Sequence, residues 1–535
     1  MSGNIILRKG LHIGEPGAED DKFFLLKCFV DTDDYEEILD LNSGKSIVSG
    51  RTGSGKTALF IRLKDEQEFV SQINPQDAAF HHIDNSDIID FLTEIGANFS
   101  VLFQYLWKDV ILSEIVKTYF LSRNVFEQTL DSWKSASVSV DQFLKANSSK
   151  FWVDHDTRIE EITSGYEGQL RAEVGSEILS ARASGELKLD HRTKKEVIAR
   201  TKRIASDLRI GELNKAMVAI DHLMSNRKKI IYIVIDDLDS DWVNSSVKYQ
   251  LIEALFESVK AFGKIKNVKI LVSVRADILD RVLSESTSDG MQPEKYDGRS
   301  IRIEWSDDAL FDLVEKRINH LFHLKYTRSK KIGFNDIFPK EVRKTDTFQF
   351  IVQRTLRRPR DIIAFINQIL DNAHGKSSIS AKDITDAESE YSRKRLDALK
   401  HEWKSAHPNL DLYINLLRRK TGTHNIVDLL DKESIVDLGI DLTDRLDDGC
   451  IIDSTHKRYI NYEKRQSEKR MQDVCYSVAA VLYKTGCISI KPRKGDHFQS
   501  CYDNVPVMLA EEISEEATFK VEPMLWRALA ITPNL

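Results

Sequence analysis

The sequence has few of the residues that mark disordered, collagen-like or disulfide-rich chains. Its 535 residues include 10 prolines, 24 glycines and five cysteines. The cysteines form no CxxC pair and their number is odd, which disfavours a disulfide framework or a zinc site, so we expect free thiols. A chain that is 41% hydrophobic and 30% charged is typical of a folded protein, and its length allows about three or four domains.

Long apolar runs and export signals are also lacking. The apolar run at residues 230–235 is far shorter than the roughly 20 residues that span a bilayer. The first residues show no apolar stretch followed by a small-residue cleavage site. We therefore expect a cytoplasmic protein without a membrane partner. The net charge of −7 argues against a general nucleic-acid coat, although such a sum can hide a basic module.

What the sequence does contain is an α/β pattern. Residues 45–49, 230–235 and 268–274 are short apolar runs rich in β-branched residues, which is typical of strands covered on both faces of a parallel sheet. Between the last two runs, residues 247–262 have apolar side chains at helical spacing, so a helix connects one strand to the next. The predicted core is an α/β, P-loop NTPase parallel sheet.

The rest of the chain is predicted to be mainly helical. More than one hundred residues separate the first strand–helix pair from the strand at 230, which implies a helical insertion; we expect it to protrude between about 154 and 229 and to contain one long helix at about 195–224. Helical spacing at 305–321 and 348–370 predicts a small lid. The expected segments are an N-terminal segment packed on the ATPase core (1–44), the first part of the core (45–124), the helical insertion (125–228), the second part of the core (229–305), the helical lid (306–375), a helical connector (376–430) and a C-terminal winged-helix-like domain (431–535).

A phosphate-binding motif lies between the first strand and its helix. The string GRTGSGKT matches G-x-x-x-x-G-K-[ST], and its strand-before, helix-after context supports the match. Glycines let backbone N–H groups point at a phosphate, the helix N-terminus adds a positive dipole end, Lys56 neutralises phosphate oxygens and Thr57 offers a hydroxyl to Mg²⁺. The residues expected to bind the nucleotide are Gly50, Arg51, Thr52, Gly53, Ser54, Gly55, Lys56 and Thr57.

Acidic residues follow the second strand directly. Asp236 is the expected Mg²⁺ residue, and Asp237 is the expected catalytic base that orients water. Asp239 and Asp241 come next, and we interpret them as solvated loop acids rather than catalytic groups. The pairing of this acidic strand end with a phosphate loop makes both assignments stronger than either motif alone.

Further polar residues are candidates for sensing the nucleotide. Ser273 ends the third strand, where it could contact the γ-phosphate. Arg275 follows it as either a phosphate contact or a member of an ion pair, with Asp277 or with an acid of the loop at 236–241. Arg357 and Arg358 precede a helix that starts at Pro359. They are either phosphate donors or a charged helix cap at the surface.

These motifs together resemble a known group of proteins. GRTGSGKTALF, IDDLD, SVRADIL and RRPRDIIAFINQ occur in an order similar to that of bacterial P-loop ATPases of the AAA+/STAND and KAP-like group, which are often associated with antiphage defence; the resemblance covers roughly residues 23–370. It implies that Arg360 senses the γ-phosphate and that Arg275 is a sensor or interfacial finger. The group often has glutamate where this chain has Asp237, and the shorter carboxylate implies slow, switch-like turnover.

The C-terminal region is predicted to be winged-helix-like. Residues 471–486 have a helical pattern, 487–491 and 518–523 are strand-like, and 524–531 suggest a last helix. From residue 456 to residue 494 there are ten Lys and Arg against three Asp and Glu, and Lys491, Arg493 and Lys494 would lie on the wing. Such a surface binds either DNA phosphates or another protein, since no set of base-reading side chains is recognisable.

The sequence is compatible with three functions. The first is an ATP- and Mg²⁺-dependent molecular switch or motor that self-associates and acts with an effector protein, since no second hydrolytic motif such as HExxH or GxSxG occurs. The second is a DNA-binding regulator that senses nucleotide with little turnover. The third, a kinase with a small acceptor, ranks last because no acceptor pocket is recognisable. The lack of an NKxD motif favours ATP over GTP.

Overall fold

The computed structural model divides the chain into two compact units. It describes residues 6–77, 80–84, 86–121, 155–174, 191–206, 210–225, 229–240, 242–243, 245–285, 293–326, 331–404, 406–447, 454–503 and 508–532. One unit, here the sheet unit, comprises residues 31–304, and the other, the helical unit, comprises residues 1–30 together with 305–535.

A five-stranded sheet forms the centre of the sheet unit. Its strands are β1 (Ile47–Gly50), β2 (Val70–Ile73), β3 (Ile231–Ile235), β4 (Val268–Arg275) and β5 (Ser300–Arg302). All four pairings are parallel, in the order β2-β3-β4-β1-β5. Every residue of β1 and β3 is buried, as expected of parallel strands covered on both faces. The predicted α/β fold with a P-loop parallel sheet is confirmed.

Helices cover this sheet. They are α1 (Asp33–Leu39), α2 (Lys56–Glu66), α3 (His81–Asp84), α4 (Asp87–Glu94), α5 (Ser100–Leu121), α6 (His155–Val174), α7 (His191–Ser206), α8 (Ile210–Ser225), α9 (Ser245–Phe262), α10 (Ala276–Glu285) and α11 (Pro293–Asp297). The predicted crossover between the two central strands is α9, which packs on α5. There the indole Nε1 of Trp107 donates a hydrogen bond to Leu251 O at 2.9 Å.

The described part of the insertion does not protrude, contrary to the prediction. Helices α6, α7 and α8 bury apolar side chains in the same core as the sheet, because these residues recur at helical spacing along one face. Polar contacts add to this packing: His155 Nε2 lies 2.8 Å from Glu114 Oε1 on α5, and Arg158 pairs with Asp109. Within the described residues, α7 and α8 cover the long helix expected at 195–224, and residues 207–209 between them lie outside the described part of the chain. Residues 122–154 lie outside the described part of the chain.

The helical unit contains the predicted lid, connector and C-terminal regions. Its helices are α12 (Asp307–Lys325), α13 (Phe334–Ile337), α14 (Thr347–Val352), α15 (Pro359–Asn372), α16 (Ala381–Glu402), α17 (Leu410–Asn415), α18 (Ser434–Asp447), α19 (Ser454–Arg465) and α20 (Glu468–Lys484). Strands β6 (Glu341–Val342) and β7 (Thr345–Asp346) form a small hairpin. The stretch at 348–370, predicted to be helical except at Pro359, is the two helices α14 and α15. The residue that precedes a proline disfavours helical geometry, and Arg358 is extended, with ψ of 150°.

The structure corrects the prediction that residues 1–44 pack as a whole on the ATPase core. Leu7, Leu11 and Ile13 are instead buried with α12, α14 and α15 in the core of the helical unit. Asn367 of α15 holds this segment, since it accepts a hydrogen bond from Ile13 N at 2.9 Å and donates one to Gly14 O at 2.8 Å. The N-terminal segment packs on apolar side chains of helices that are distant in the sequence. Its own local sequence pattern therefore does not predict where it packs.

A three-stranded antiparallel sheet packs with α20 near the C-terminus. Its strands β8 (Thr423–Asn425), β9 (Ile488–Lys491) and β10 (Thr518–Val521) have the order β8-β10-β9. The expected last helix at 524–531 is only a 3₁₀ turn, Pro523–Leu525, followed by turns. Ala530 has a φ of 54°, which is incompatible with an α-helix, and Leu529 O accepts a hydrogen bond from Arg419 N at 3.0 Å.

Two further predictions concern membranes and thiols. Within the described residues, no helix combines the length and the apolar character needed to cross a bilayer. The four cysteines in the described ranges, Cys28, Cys475, Cys487 and Cys501, are free thiols, and Cys450 lies outside those ranges.

Candidate nucleotide site

The phosphate loop connects β1 to α2 in the geometry that its sequence predicts. Gly53 and Gly55 have φ angles of 76° and 106°, in the left-handed region that glycine adopts without steric cost. Gly50 passes close to Ser54, since a Cβ there would lie 2.5 Å from Ser54 Oγ and the hydroxyl would have to shift. The loop is closed by a hydrogen bond from Ser54 N to Arg51 O at 3.1 Å.

Lys56 lies at the first turn of α2 and bends over this loop. Its Nζ donates hydrogen bonds to Gly50 O at 3.0 Å and Arg51 O at 3.3 Å. Burial lowers the pKa of Lys56, and the nearby carboxylates of Asp239 and Asp236 oppose that change. A partly buried cation at the N-terminus of a helix favours the binding of an anion such as a nucleotide phosphate.

Thr57 and Asp236 meet although 179 residues separate them. Thr57 Oγ1 donates a hydrogen bond to Asp236 Oδ2 at 3.2 Å, and Asp236 at the end of β3 is only 5% exposed. A hydroxyl and a carboxylate are hard oxygen ligands, and Mg²⁺ in nucleotide sites takes one or two such protein ligands while phosphates and water complete its shell. The pair therefore fits Mg²⁺ held together with a nucleotide.

Asp237 follows with a strained backbone. Its φ of 61° is unusual for a residue other than glycine, and its side chain is exposed. Asp236 Oδ1 accepts a hydrogen bond from Asp237 N at 3.0 Å, so the buried carboxylate also holds the next peptide group. Residues in this backbone region persist only where their surroundings hold them there, and they are concentrated at functional sites.

The sheet order places the third candidate strand between the two motifs. Because β4 lies between β1 and β3, with Gly50 opposite Arg275 and Ile235 opposite Val272, the polar end of β4 reaches the same carboxyl edge as the phosphate loop and Asp236. Ser273 is 2% exposed at this edge. Open α/β sheets bind their ligands outside the carboxyl ends of the strands.

Arg275 forms the ion pair that was one of its two predicted roles. Its Nε and Nη2 donate to the two carboxylate oxygens of Asp277 at 2.9 and 3.1 Å. The pair is largely buried, with side-chain exposures of 12% and 14%. The positive charge of Arg275 is one of the influences that lower the pKa of Lys56, so the guanidinium lies within electrostatic range of the phosphate loop.

The arginines around Pro359 belong to the helical unit and differ in environment. Arg358 is fully buried: its guanidinium donates to Asp361 at 2.8 Å and to both carboxylate oxygens of Glu402 at 3.0 Å. Burial alone would lower the pKa of Arg358, but Asp361 and Glu402 raise it above its ordinary value. Arg358 is thus a structural cation that joins α15 to α16, which corrects both predicted roles, a phosphate donor and a surface cap.

The other two arginines have lighter contacts. Arg360 Nε donates to Pro16 O at 3.4 Å, and Arg357, whose φ is 50°, lies 3.5 Å from Asp307. Their roles toward a nucleotide stay predictions.

Sequence reasoning missed the residues that support the acidic loop after β3. Lys248 of α9 donates hydrogen bonds to Asp239 O and Ser240 O, and Trp242 Nε1 donates to Leu238 O at 3.1 Å. The only local signal was a lysine on the apolar face of a helix, next to Val247 and one turn from Leu251.

Comparisons with known proteins match parts of this picture. A domain family described as the FunZ-associated C-terminal helical domain matches residues 308–400. The putative transposon gamma-delta 80.3 kDa protein of Escherichia coli K12 is 22% identical over 99% of this chain and 68% of its own length. The allergen Alt a 2 of Alternaria alternata is 24% identical over 26% of this chain and 74% of its own.

One solved structure is similar to this chain over nearly its whole length. The Walker-type ATPase PABY2304 of Pyrococcus abyssi aligns with 97% of this chain and 98% of its own, at 12% identity and a TM-score of 0.38. The P-loop fold of this chain is evident from its own sheet order, phosphate loop and Thr57–Asp236 pair.

Proposed function

We propose that this chain is a Mg²⁺-dependent ATPase that works as a molecular switch or motor. The observation that carries the proposal is the meeting of Thr57 and Asp236 at 3.2 Å beside Lys56 and the phosphate loop. Lys56 and the loop amides would bind the β and γ phosphates, and Thr57 and Asp236 would hold Mg²⁺, which neutralises charge on those oxygens. Asp237 would accept the proton of the attacking water.

A switch needs a ligand that binds two states of the protein with different affinities. Arg360 is the γ-phosphate sensor that the sequence resemblance implies, and such a sensor would make the ATP state differ from the ADP state. Self-association, an effector protein and a role in antiphage defence are further parts of this proposal.

The ATPase proposal is tested by phosphate release. Purified protein with ATP and Mg²⁺ should release phosphate slowly. Chelation of the metal should stop this release, because the negative charge on the phosphate oxygens is then no longer neutralised in the transition state. Light scattering in the apo, ADP and non-hydrolysable-ATP states should show a change of mass or radius. Tight Mg²⁺-ATP binding without phosphate release would favour the DNA-binding regulator instead, and no nucleotide binding at all would contradict both.

DNA binding through the C-terminal domain is the alternative function, and one surface favours it. Arg493 and Lys494 are exposed in a tight turn after β9, where Asp496 N donates to Arg493 O at 3.1 Å. The preceding residue is held in place, since Ser514 Oγ donates a hydrogen bond to Pro492 O at 2.8 Å. One relative is named as a putative transposon protein, which makes DNA a reasonable partner to test.

Changing Lys491, Arg493 and Lys494 together to alanine should weaken DNA binding if the wing touches phosphates. Each lost phosphate contact removes about 0.9 from the slope of log K against log salt on duplex DNA, so three should reduce its magnitude by up to about three. Binding is measured by fluorescence anisotropy over a range of salt concentrations. ATPase activity without DNA should not change.

A matched control removes the same charges elsewhere on the helical unit. Lys382, Arg393 and Lys394 are exposed on α16, and their replacement by alanine should leave the salt slope at its wild-type value. If both triple variants keep that slope, or if the wild-type protein has no affinity for DNA at low salt, the wing is a protein-contact surface.

A further inference from the structure

Hydrogen bonds to successive carbonyl groups hold the short loop that carries Asp237. Asp237 O accepts from Ser240 N at 3.2 Å and from Ser240 Oγ at 2.7 Å. Leu238 O accepts from Trp242 Nε1 at 3.1 Å. Asp239 O and Ser240 O accept from the Nζ of Lys248 at 3.2 and 2.7 Å. Four successive carbonyls, from residue 237 to residue 240, are therefore engaged.

Lys248 makes the charged contribution to this set. The residue is 8% exposed, on the face of α9 that also buries Val247 and Leu251. A buried ammonium group is costly unless it is hydrogen-bonded, and here two of its three donors are directed at the loop. Hydrogen bonds from a charged donor are roughly twice as strong as neutral ones. The lysine therefore anchors the loop to the helix more firmly than a neutral side chain would.

An aromatic cluster provides a second anchor for the loop. The ring of Trp242 lies 5.5 Å from that of Phe80 and 6.2 Å from that of Trp107, measured between centroids. Trp242 is 5% exposed, so its indole is fixed by packing while Nε1 holds Leu238 O. Asp237 directly precedes the anchored residues 238–240, and its φ of 61° is a conformation that persists only where neighbouring residues hold it.

We propose that Lys248 is a positioning residue for ATP hydrolysis, which fixes the loop so that the Asp237 carboxylate faces the attacking water. The inference rests on the proposed ATPase function and deepens it. Lys248 acts on the backbone of Asp239 and Ser240 and not on the nucleotide, so its loss should affect turnover and not nucleotide binding. Lys248 belongs to the crossover helix α9 and lies outside both nucleotide motifs.

The test compares two substitutions of Lys248 with one on the same helix. Lys248→Met keeps the length of the side chain and removes its donors, and we expect kcat to fall about 10- to 100-fold, since small misplacements of a reacting group have effects of this size. The Kd for Mg²⁺-ATP should stay within about threefold of wild type. Lys248→Arg keeps charged donors and should retain more activity. Lys260→Met, which removes a half-exposed lysine paired with Glu257, is the control and should behave as wild type.

A double-mutant cycle distinguishes positioning from general damage. If Lys248 acts through Asp237, adding Lys248→Met to Asp237→Asn should cause little further loss of kcat, because the group being positioned is already absent. If Lys248 only stabilises the fold, the losses of kcat in the two single variants should multiply in the double variant. Multiplying losses, an unchanged kcat in Lys248→Met, or a loss of ATP affinity equal to the loss of kcat would each overturn the proposal.

Hydrogen exchange provides a measurement that does not depend on catalysis. In Lys248→Met, the amides of residues 237–240 should exchange about tenfold faster or more than in the wild type, whereas the amides of β3 should keep the wild-type rate. In the Lys260→Met control, the exchange rates of both sets of amides should not change. If the wild-type protein hydrolyses no ATP but the amides of residues 237–240 exchange faster in Lys248→Met, then Lys248 does hold the loop and the ATPase proposal is wrong. If exchange is unchanged, Lys248 does not hold the loop.

Discussion

Replacement of Lys56 with alanine should abolish tight nucleotide binding while the fold stays intact. The Nζ now donates to two loop carbonyls and would exchange them for β and γ phosphate oxygens when a nucleotide is present. Two charge-assisted hydrogen bonds at about 1.5 to 3 kcal/mol each correspond to an affinity loss of about 100-fold or more. Calorimetric titration with Mg²⁺-ATP and with ADP measures the effect.

The free energy of unfolding of apo Lys56→Ala should not decrease, although the nucleotide affinity of this variant does. Because burial lowers the pKa of Lys56 in the folded state, the charged ammonium opposes folding below its unfolded pKa, and its removal relieves that cost. The apo variant should therefore melt no earlier than wild type. Lys64→Ala, on the exposed side of the same helix, is the control and should bind nucleotide normally. Wild-type affinity in Lys56→Ala would remove the phosphate-loop assignment.

Asp237→Asn should stop turnover while ATP and Mg²⁺ remain bound. The amide cannot accept the proton of water, and loss of a general base typically costs 10²- to 10⁴-fold, so we expect kcat to fall by about 100-fold or more. Asp236, the proposed metal residue, keeps its contact with Thr57, so the Kd for Mg²⁺-ATP should change little. Single-turnover phosphate release and nucleotide titration separate the two effects.

The neighbouring acid offers an internal comparison. Asp239 is also exposed and lies close enough to influence the pKa of Lys56, but it does not directly follow the strand. Asp239→Asn should keep most of the turnover. If instead Asp237→Asn is fully active and Asp239→Asn is not, the catalytic role belongs to Asp239.

Much of the site was predictable because its signals are local. The phosphate loop needs glycines at 53 and 55 for positive φ angles and a helix directly after them, and both requirements are visible within a dozen residues. The strand that delivers Asp236 is a run of five buried residues, whose continuous apolar pattern also identifies the parallel sheet. Strands β2 and β5 were missed because they are short and only partly buried, so they lack that pattern.

The environment of a charged side chain was less predictable. The sequence around Pro359 shows three arginines of similar appearance, but Arg358 is buried against Asp361 and Glu402 while Arg360 lies beside Pro16. Glu402 is 44 residues away from Arg358 along the chain. A cation's role depends on which carboxylate the fold brings to it, and local sequence does not contain that information.

By itself, the sequence determined the chemistry that this protein can offer: a phosphate loop, a hydroxyl and a carboxylate suited to Mg²⁺, and a second carboxylate beside them. Only the tertiary structure decided that β4 lies between β1 and β3, that residues 6–30 pack in the helical unit, and that Lys248 anchors the loop after β3. The physical reason is range. Backbone geometry and hydrophobic periodicity act over a few residues, whereas strand order, burial and ion pairing are set by free energies shared among segments more than a hundred residues apart.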